Sequence, residues 1–470
     1  MTGDPSGTPV GLGTAPGRWL VVVTVLASGM AFLDATAVQV ALPAIGRDLD
    51  ASLSGLQWTV TGYTLSLAAL VLLGGALGDR YGRRRVFLIG VGWFAAASLV
   101  CGLAQTTGQL VAARVLQGVG GALLTPGSLA LIQSSFRRED RARAIGLWSS
   151  LAGIAGLIGP FLGGVLIDAI SWRLVFLINV PIAVLVIAVA ARHVPESRNG
   201  GHHGPFDFLG AVLGALALAG ITYALIAAGE EPTRPDVVLA GAAGVLGGIA
   251  FVARERRAAD PMLPPAVFAD RQFTGANLAT LAVYGALGGG SLFFVLQLQT
   301  VLGYDATAAG AAMLPAIGVI TLLAPRFGAL AQRIGPRLPM TAGPLVCAVG
   351  TLWLVGVDGS APYVLEVLPG SLLQGLGMAV TVAPLTATVL AAAPEQLTGV
   401  ASGVNNAVAR AAQLLAVAAL PVAVGLSGDD YTQPLGFTAG YRTALMVCAG
   451  LFAVGGLVSW WTIRNDVLRP

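Results

Sequence analysis

The sequence predicts an all-α membrane protein of about fourteen spanning helices, arranged as two six-helix bundles with two helices inserted between them. Three observations lead there. Of 470 residues, 56% are hydrophobic and 10% charged, whereas soluble domains carry about a quarter charged residues. Fourteen apolar segments are long enough to cross about 30 Å of hydrocarbon, which takes about 20 helical residues. A polar, arginine-bearing loop pattern also occurs twice, far apart in the chain. Mean hydropathy is +0.80. The 64 glycines suit closely packed membrane helices. No alternating ten-residue pattern suggests a barrel, so helices are the form that satisfies the backbone in lipid.

The spans begin near Trp19, Leu56, Val86, Leu110, Ala144, Leu174, Phe208, Val237, Phe273, Thr307, Leu338, Val364, Val400 and Thr443. Polar residues 1–17 form an N-terminal tail and not a secretory signal, because the apolar run that follows is too long and no cleavage site appears. Residues 18–192 make the first bundle, 193–272 a loop and the two inserted helices, 273–465 the second bundle, and 466–470 a short tail. Cys101, Cys347 and Cys448 lie in apolar runs and read as reduced packing residues.

Arginine placement sets the orientation. All 26 basic residues are Arg. With both termini cytoplasmic, nineteen fall in or beside cytoplasmic segments, four on the other side, and three (Arg114, Arg326 and Arg410) within spans. That is the positive-inside asymmetry expected of an even number of spans in the cytoplasmic membrane.

The repeat reads Gly75-Ala76-Leu77-Gly78-Asp79-Arg80-Tyr81-Gly82-Arg83-Arg84-Arg85 after span 2, and Gly328-Ala329-Leu330-Ala331-Gln332-Arg333-Ile334-Gly335-Pro336-Arg337 after span 10. Its position after span 10 implies two helices inserted between related halves. Parallel repeats of this kind build transporters whose site lies between halves. In the first copy, Asp79 can pair with a neighbouring Arg or a facing helix N-terminus, while Gly75 and Gly82 allow packing and a turn. Gly75, Asp79, Arg80, Gly82, Arg83 and Arg84 are therefore expected to form a conformational latch, with Arg85 completing the basic cluster. The second copy has Gln332 in place of the acid.

Three spans carry the remaining motifs. Span 1 reads Leu33-Asp34-Ala35-Thr36-Ala37-Val38-Gln39-Val40-Ala41-Leu42-Pro43, with Asp34 the one carboxylate deep in a span. It sits about 16 residues into the helix, roughly 24 Å from the end at 1.5 Å per residue. A charge there costs several kcal/mol unless it pairs, takes up a proton or faces a polar cavity. Arg114 in the span-4 run Arg114-Val115-Leu116-Gln117-Gly118-Val119-Gly120-Gly121-Ala122 falls at similar depth and is its expected partner. Span 5 holds Gly156, Gly159, Pro160, Gly163 and Gly164, a kinked, smooth-faced helix expected to meet the opposing half.

Together these motifs resemble the major facilitator superfamily, and within it the fourteen-spanner drug/proton antiporter family, over nearly the whole chain. The resemblance implies alternating access driven by the proton gradient, with Asp34 and Arg114 coupling protons and the span-5 motif marking an antiporter. It implies export of a small lipophilic drug or antibiotic; the alternative is an exporter or importer of one endogenous metabolite. Gln117, Gln297, Gln299, Asn405, Asn406 and Arg410 are the candidates for the substrate cavity, while Glu366 reads as solvated at the mouth of span 12. The Trp172-Arg173-Leu174-Val175-Phe176-Leu177-Ile178-Asn179-Val180-Pro181 stretch reads as structural.

Other classes find no support. There is no phosphate loop for ATP, no metal-ligand cluster, no enzyme constellation and no nucleic-acid domain. His193, His202 and His203 lie in the loop before span 7, away from any membrane proton path. No cofactor is expected, the chain is expected to act as a monomer, and its partners are the substrate, protons and the bilayer. Reporter fusions at the two termini are expected to read the same side of the membrane, the cytoplasm; opposite readings refute an even span count.

Overall fold

The computed structural model describes residues 10–196, 207–258, 261, 263, 265–360, 362–393 and 397–467. His202, His203, Arg198, Arg469 and most of the N-terminal tail lie outside them. The helices are α1 Ala15–Leu49, α2 Leu53–Tyr81, α3 Arg83–Leu103, α4 Thr107–Ser135, α5 Arg138–Ala169, α6 Leu174–Leu177, α7 Asn179–His193 and α8 Phe208–Ala227. They continue with α9 Pro235–Glu255, α10 Arg271–Leu296, α11 Ala306–Ile334, α12 Arg337–Leu354, α13 Tyr363–Glu366, α14 Leu368–Ala391, α15 Thr398–Ala423 and α16 Pro434–Thr462. Among the described residues there is no strand, only an isolated bridge between Val10 and Phe136.

Among the described residues, twelve segments are long and apolar enough to cross a bilayer. A thirteenth is α2, whose two pieces meet at 49° between Val71 and Leu73. The predicted eleventh span corresponds to α12, an 18-residue helix that is not among them. Side-chain caps set several helix starts. Thr14 accepts from Gly17 N, Thr106 from Gln109 N, Asp270 from Gln272 N and Phe273 N, and Asp305 from Ala308 N.

The chain divides into two compact units: residues up to Asp50 with Trp58–Ala215, and Ala51–Gln57 with the residues from Leu216 onward. In the first, glycines bring backbones together. A Cβ on Gly120 would lie 2.6 Å from Phe94 N on α3, and one on Gly90 would lie 2.8 Å from Leu124 N on α4. The last described residues of the tail are tied down. Val10 N donates to Ser135 O (2.8 Å), Arg137 N to Val10 O (3.2 Å) and Leu12 N to Asp140 Oδ2 (2.9 Å).

In the second unit the same device joins α8 to α9, where a Cβ on Gly244 would lie 2.6 Å from Ile221 N. Pro421 has no N–H to offer Val417 O four residues back, and the Gln57 side chain bonds that carbonyl instead (2.7 Å). Glu366, expected to be solvated, is 9% exposed. Its carboxylate accepts from Asp358 N (2.5 Å) and Gly359 N (2.8 Å), closing the loop after α12. In that loop, hydrogen bonds from Ser360, aided by Arg442, hold the Asp358 carboxyl below the usual range.

Backbone-to-backbone glycine contacts leave no room for a side chain, so Gly120→Val forces α3 from α4. We expect it to destabilise the detergent-solubilised protein by about 2 kcal/mol or more, read as a lower thermal midpoint. Gly153→Ala, with no atom within 4 Å of its Cβ, leaves the midpoint unchanged.

Candidate functional site

The first unit encloses a polar cluster inside an otherwise apolar bundle. Asp34 on α1 and Arg114 on α4 are 0% and 1% exposed, and they pair through Nη1 and Oδ2 at 2.5 Å. Gln117, one turn along α4 from Arg114, bonds both partners: its amide donates to Asp34 Oδ1 (2.8 Å) and its carbonyl accepts from Arg114 Nη1 (2.6 Å). The same amide donates to Ser98 Oγ on α3 (2.7 Å). Asn179, the first residue of α7, donates to Asp34 Oδ1 and Ser98 Oγ, both at 3.3 Å.

Arg114 has holds that do not depend on the carboxylate. Its Nε donates to Thr59 O (3.0 Å), and its guanidinium carbon lies 4.4 Å from the Tyr63 ring centre and 5.6 Å from that of Phe176. Ring faces and a carbonyl stabilise a cation even where water is excluded. Asp34 depends on the three side chains around it. A carboxylate is acceptor-only, with about four lone-pair sites; these donors occupy two on Oδ1 and one on Oδ2. Asn179 Oδ1, buried and without a hydrogen-bond partner, is an acceptor at hand.

The sequence reading anticipated Asp34, Arg114 and Gln117 in this region. It missed Ser98, Tyr63, Phe176 and Asn179, the last two lying in the stretch read as structural. An amide in an apolar run is the signal that was available, since a buried Asn must find partners.

The span-5 glycines lie elsewhere than expected. Gly159 and Gly163 sit against α1 in the same unit, with no space for a Cβ beside Thr36 or Ala37, while Gly156 lies against Phe32 more loosely. They were expected to face the opposing half; here they let α5 approach the α1 turn that carries Asp34. Pro160 is accommodated within the continuous α5, as is Gly164.

The loop between α2 and α3 is a charged cap. Gly82 has φ +109°, which turns the chain from one helix to the next. Arg83 pairs with Asp79 at 2.7 Å. Glu196, following α7, accepts from Arg84 N (3.1 Å) and Arg85 N (3.2 Å) at the start of α3. Gly75 packs near Pro126, and Arg80 lies over its neighbour Tyr81.

The second-half candidates are scattered. Gln297 is buried and donates to Val357 O (2.9 Å) from a π-helical turn, Gln297–Val301, that also contains Gln299. Asn405 bridges to Asn277 Oδ1 (3.2 Å) and Thr280 Oγ1 (2.7 Å). Asn406 bonds back to Ser402 O, and Arg410 is half-buried on the same helix. The second unit does contain a cavity, between α10, α11, α12, α14 and α16, and none of these residues lines it. Among the described residues no group of three or more His, Cys, Asp or Glu could hold a metal ion.

Comparison with known proteins places this arrangement. The multidrug resistance protein Stp of Mycobacterium tuberculosis (strain CDC 1551 / Oshkosh) is 36% identical over 394 residues, covering 82% of this chain and 72% of Stp. The tetracenomycin C resistance and export protein of Streptomyces glaucescens is 35% identical over 428 residues, covering 89% and 78%. In fold, the chain is similar to the crystallised peptide transporter POT in complex with sulfate, at TM-score 0.71 and 15% identity, over 97% of each chain. Residues 24–417 match the Major Facilitator Superfamily, and the chain belongs to that family.

Proposed function

We propose that the chain is a proton-coupled efflux transporter that exports lipophilic drugs or antibiotics across the cytoplasmic membrane by alternating access. It has fourteen spans with both termini cytoplasmic. The observation that carries the reading is the fully buried Asp34–Arg114 pair with its amide and hydroxyl partners. Relatives named for resistance and export supply the substrate class and the direction. Fourteen helices follow if α2 counts as one span, α6 and α7 as one, and α12 as the eleventh.

In this mechanism Asp34 alternates between an ionised, arginine-paired state and a protonated one. Protonation removes the charge that Arg114 neutralises, and Thr59 O, Gln117 and the Tyr63 and Phe176 rings keep the guanidinium in place. The pair then stores the difference between two packings of α1 against α4, which is what a two-state rearrangement requires. The Asp79–Arg83 pair and the Glu196 cap hold the α2–α3 turn in one of those states.

Asp34→Asn is expected to reduce pH-gradient-driven drug accumulation in inverted vesicles at least about tenfold while the protein stays folded, because the neutral side chain carries no proton. Full gradient-driven transport by this variant refutes the mechanism. Arg114→Ala leaves a buried carboxylate unpaired and should cost about 3–5 kcal/mol of stability, seen as a large drop in thermal midpoint.

Asp79→Asn separates a latch from a topology signal. A half-exposed pair near the membrane surface contributes about 0–1 kcal/mol, so expression and thermal midpoint should be nearly unchanged. Turnover should fall severalfold; native turnover in this variant reduces the loop to a determinant of orientation.

A further inference from the structure

The cavity of the second unit occupies the place that, by internal repeat, corresponds to the ionic cluster of the first. Arg114-Val115-Leu116-Gln117-Gly118-Val119-Gly120-Gly121-Ala122 on α4 aligns without gaps with Ser371-Leu372-Leu373-Gln374-Gly375-Leu376-Gly377-Met378-Ala379 on α14. The packing repeats with the sequence. Gly118 closes on α2 beside the Tyr63 carbonyl, and Gly375 on α11 beside the Ala316 carbonyl. A Cβ on Gly120 would lie 2.6 Å from Phe94 N on α3, and one on Gly377 would lie 2.6 Å from Cys347 N on α12. One turn beyond Phe94 is Ser98, which accepts from Gln117; one turn beyond Cys347 is Thr351, whose Oγ1 accepts from Gln374 Nε2 (3.3 Å).

What differs is the charge. Ser371 stands where the first unit has Arg114. Aligning Trp172-Arg173 with Tyr441-Arg442 puts Leu445 at the place of Phe176 and Cys448 at that of Asn179. On α10, Gly290 is the residue beside Cys448, as Asp34 is the residue beside Asn179. With a serine and a glycine in place of a guanidinium and a carboxylate, a void of about 100 Å³ remains, lined by Gly290, Ser371, Gln374 and Leu445 and by no charged side chain. An apolar cavity of about this size is on the scale of one benzene ring. Phe294, Met313 and Met378 supply a ring face and two adaptable thioethers. Ser371 is 3% exposed and lines the cavity.

We propose that this cavity binds an uncharged ring of the transported compound, with Ser371 and Gln374 hydrogen-bonding a carbonyl or hydroxyl on that ring. The proposal deepens the export reading and rests on it. A full charge would enter this site without a counter-ion and lose its hydration, so the site selects against cations and anions of the same shape.

Binding to the purified full-length protein in detergent tests it, by equilibrium dialysis with benzyl alcohol as the neutral one-ring probe. Benzoate and benzylammonium are its charged counterparts of near-equal size. We expect the native protein to bind benzyl alcohol at least about tenfold more tightly than either ion. Ser371→Leu, which fills the cavity, and Gln374→Leu, which removes the amide, should each weaken benzyl alcohol binding about fivefold or more. Gly290→Ala keeps the test alive if the larger changes unfold the protein, because its methyl would meet Cys448 Sγ at an ordinary 3.6 Å. It should weaken binding measurably by narrowing the space. Equal affinity for the three probes, or unchanged benzyl alcohol binding in folded Ser371→Leu and Gly290→Ala, overturns the proposal. Export, scored separately by drug accumulation in vesicles, distinguishes the two readings. A native protein that accumulates no drug, yet loses benzyl alcohol binding in these variants, refutes export and leaves the ring site standing.

Discussion

A full charge survives among packed helices only where each of its hydrogen-bonding atoms is met, and that demand organises the first unit. Asp34 has no exposure, so both carboxylate oxygens must be answered by neighbours. α4 contributes Arg114 and Gln117 one turn apart, α7 presents Asn179, and α3 brings Ser98, whose hydroxyl accepts from both amides. None of these contacts forms unless the helices approach closely. The glycines at 120, 159 and 163 are what permit that approach, so the small residues and the ionic cluster are two sides of one construction.

The two halves share a scaffold and divide the charge unequally. At the turn after the second helix of each half, a glycine with positive φ (Gly82 and Gly335) leads into a helix whose start is capped from beyond the last helix of that half. Glu196 caps Arg84 N in the first, and Asn465 caps Arg337 N (3.2 Å) in the second. The acid of one is the amide of the other, as Asp79 is matched by Gln332. Inside the helices the same substitution recurs, from Arg114 to Ser371. At these positions the first half is ionic and the second neutral, whereas the aligned Arg173 and Arg442 each keep an ion pair, with Asp48 and Asp358.

Much of this was legible before the structure. Apolar length marked the helices, and the single deep acid and the single deep arginine of the first half could be matched by depth because polar loops bracket both spans. The glycine motif of span 5 was legible too, but not its neighbour, since a smooth helix face does not specify what lies against it. Asn179 escaped notice because one amide in an apolar run reads like packing. Glu366 was misread for a related reason: near a span end, only the fold reveals that loop N–H groups converge on a carboxylate. The cavity was least legible, because it consists of side chains that are missing. Ser371 and Gly290 signal nothing until the packing repeat shows what stands in their places.

The three thiols bear on how such a protein can be followed in solution. Cys101, Cys347 and Cys448 are all buried, so a maleimide should find the native chain nearly inert. Their positions are informative. Cys101 Sγ lies 3.7 Å from Gln117 Oε1, beside the ionic cluster, and Cys448 adjoins Gly290 at the cavity of the other half. Any rearrangement that admits water to either place also exposes a sulfur atom there. The chain thus carries its own pair of chemical gauges, one in each half, and their alkylation rates would report local opening without any label being engineered in.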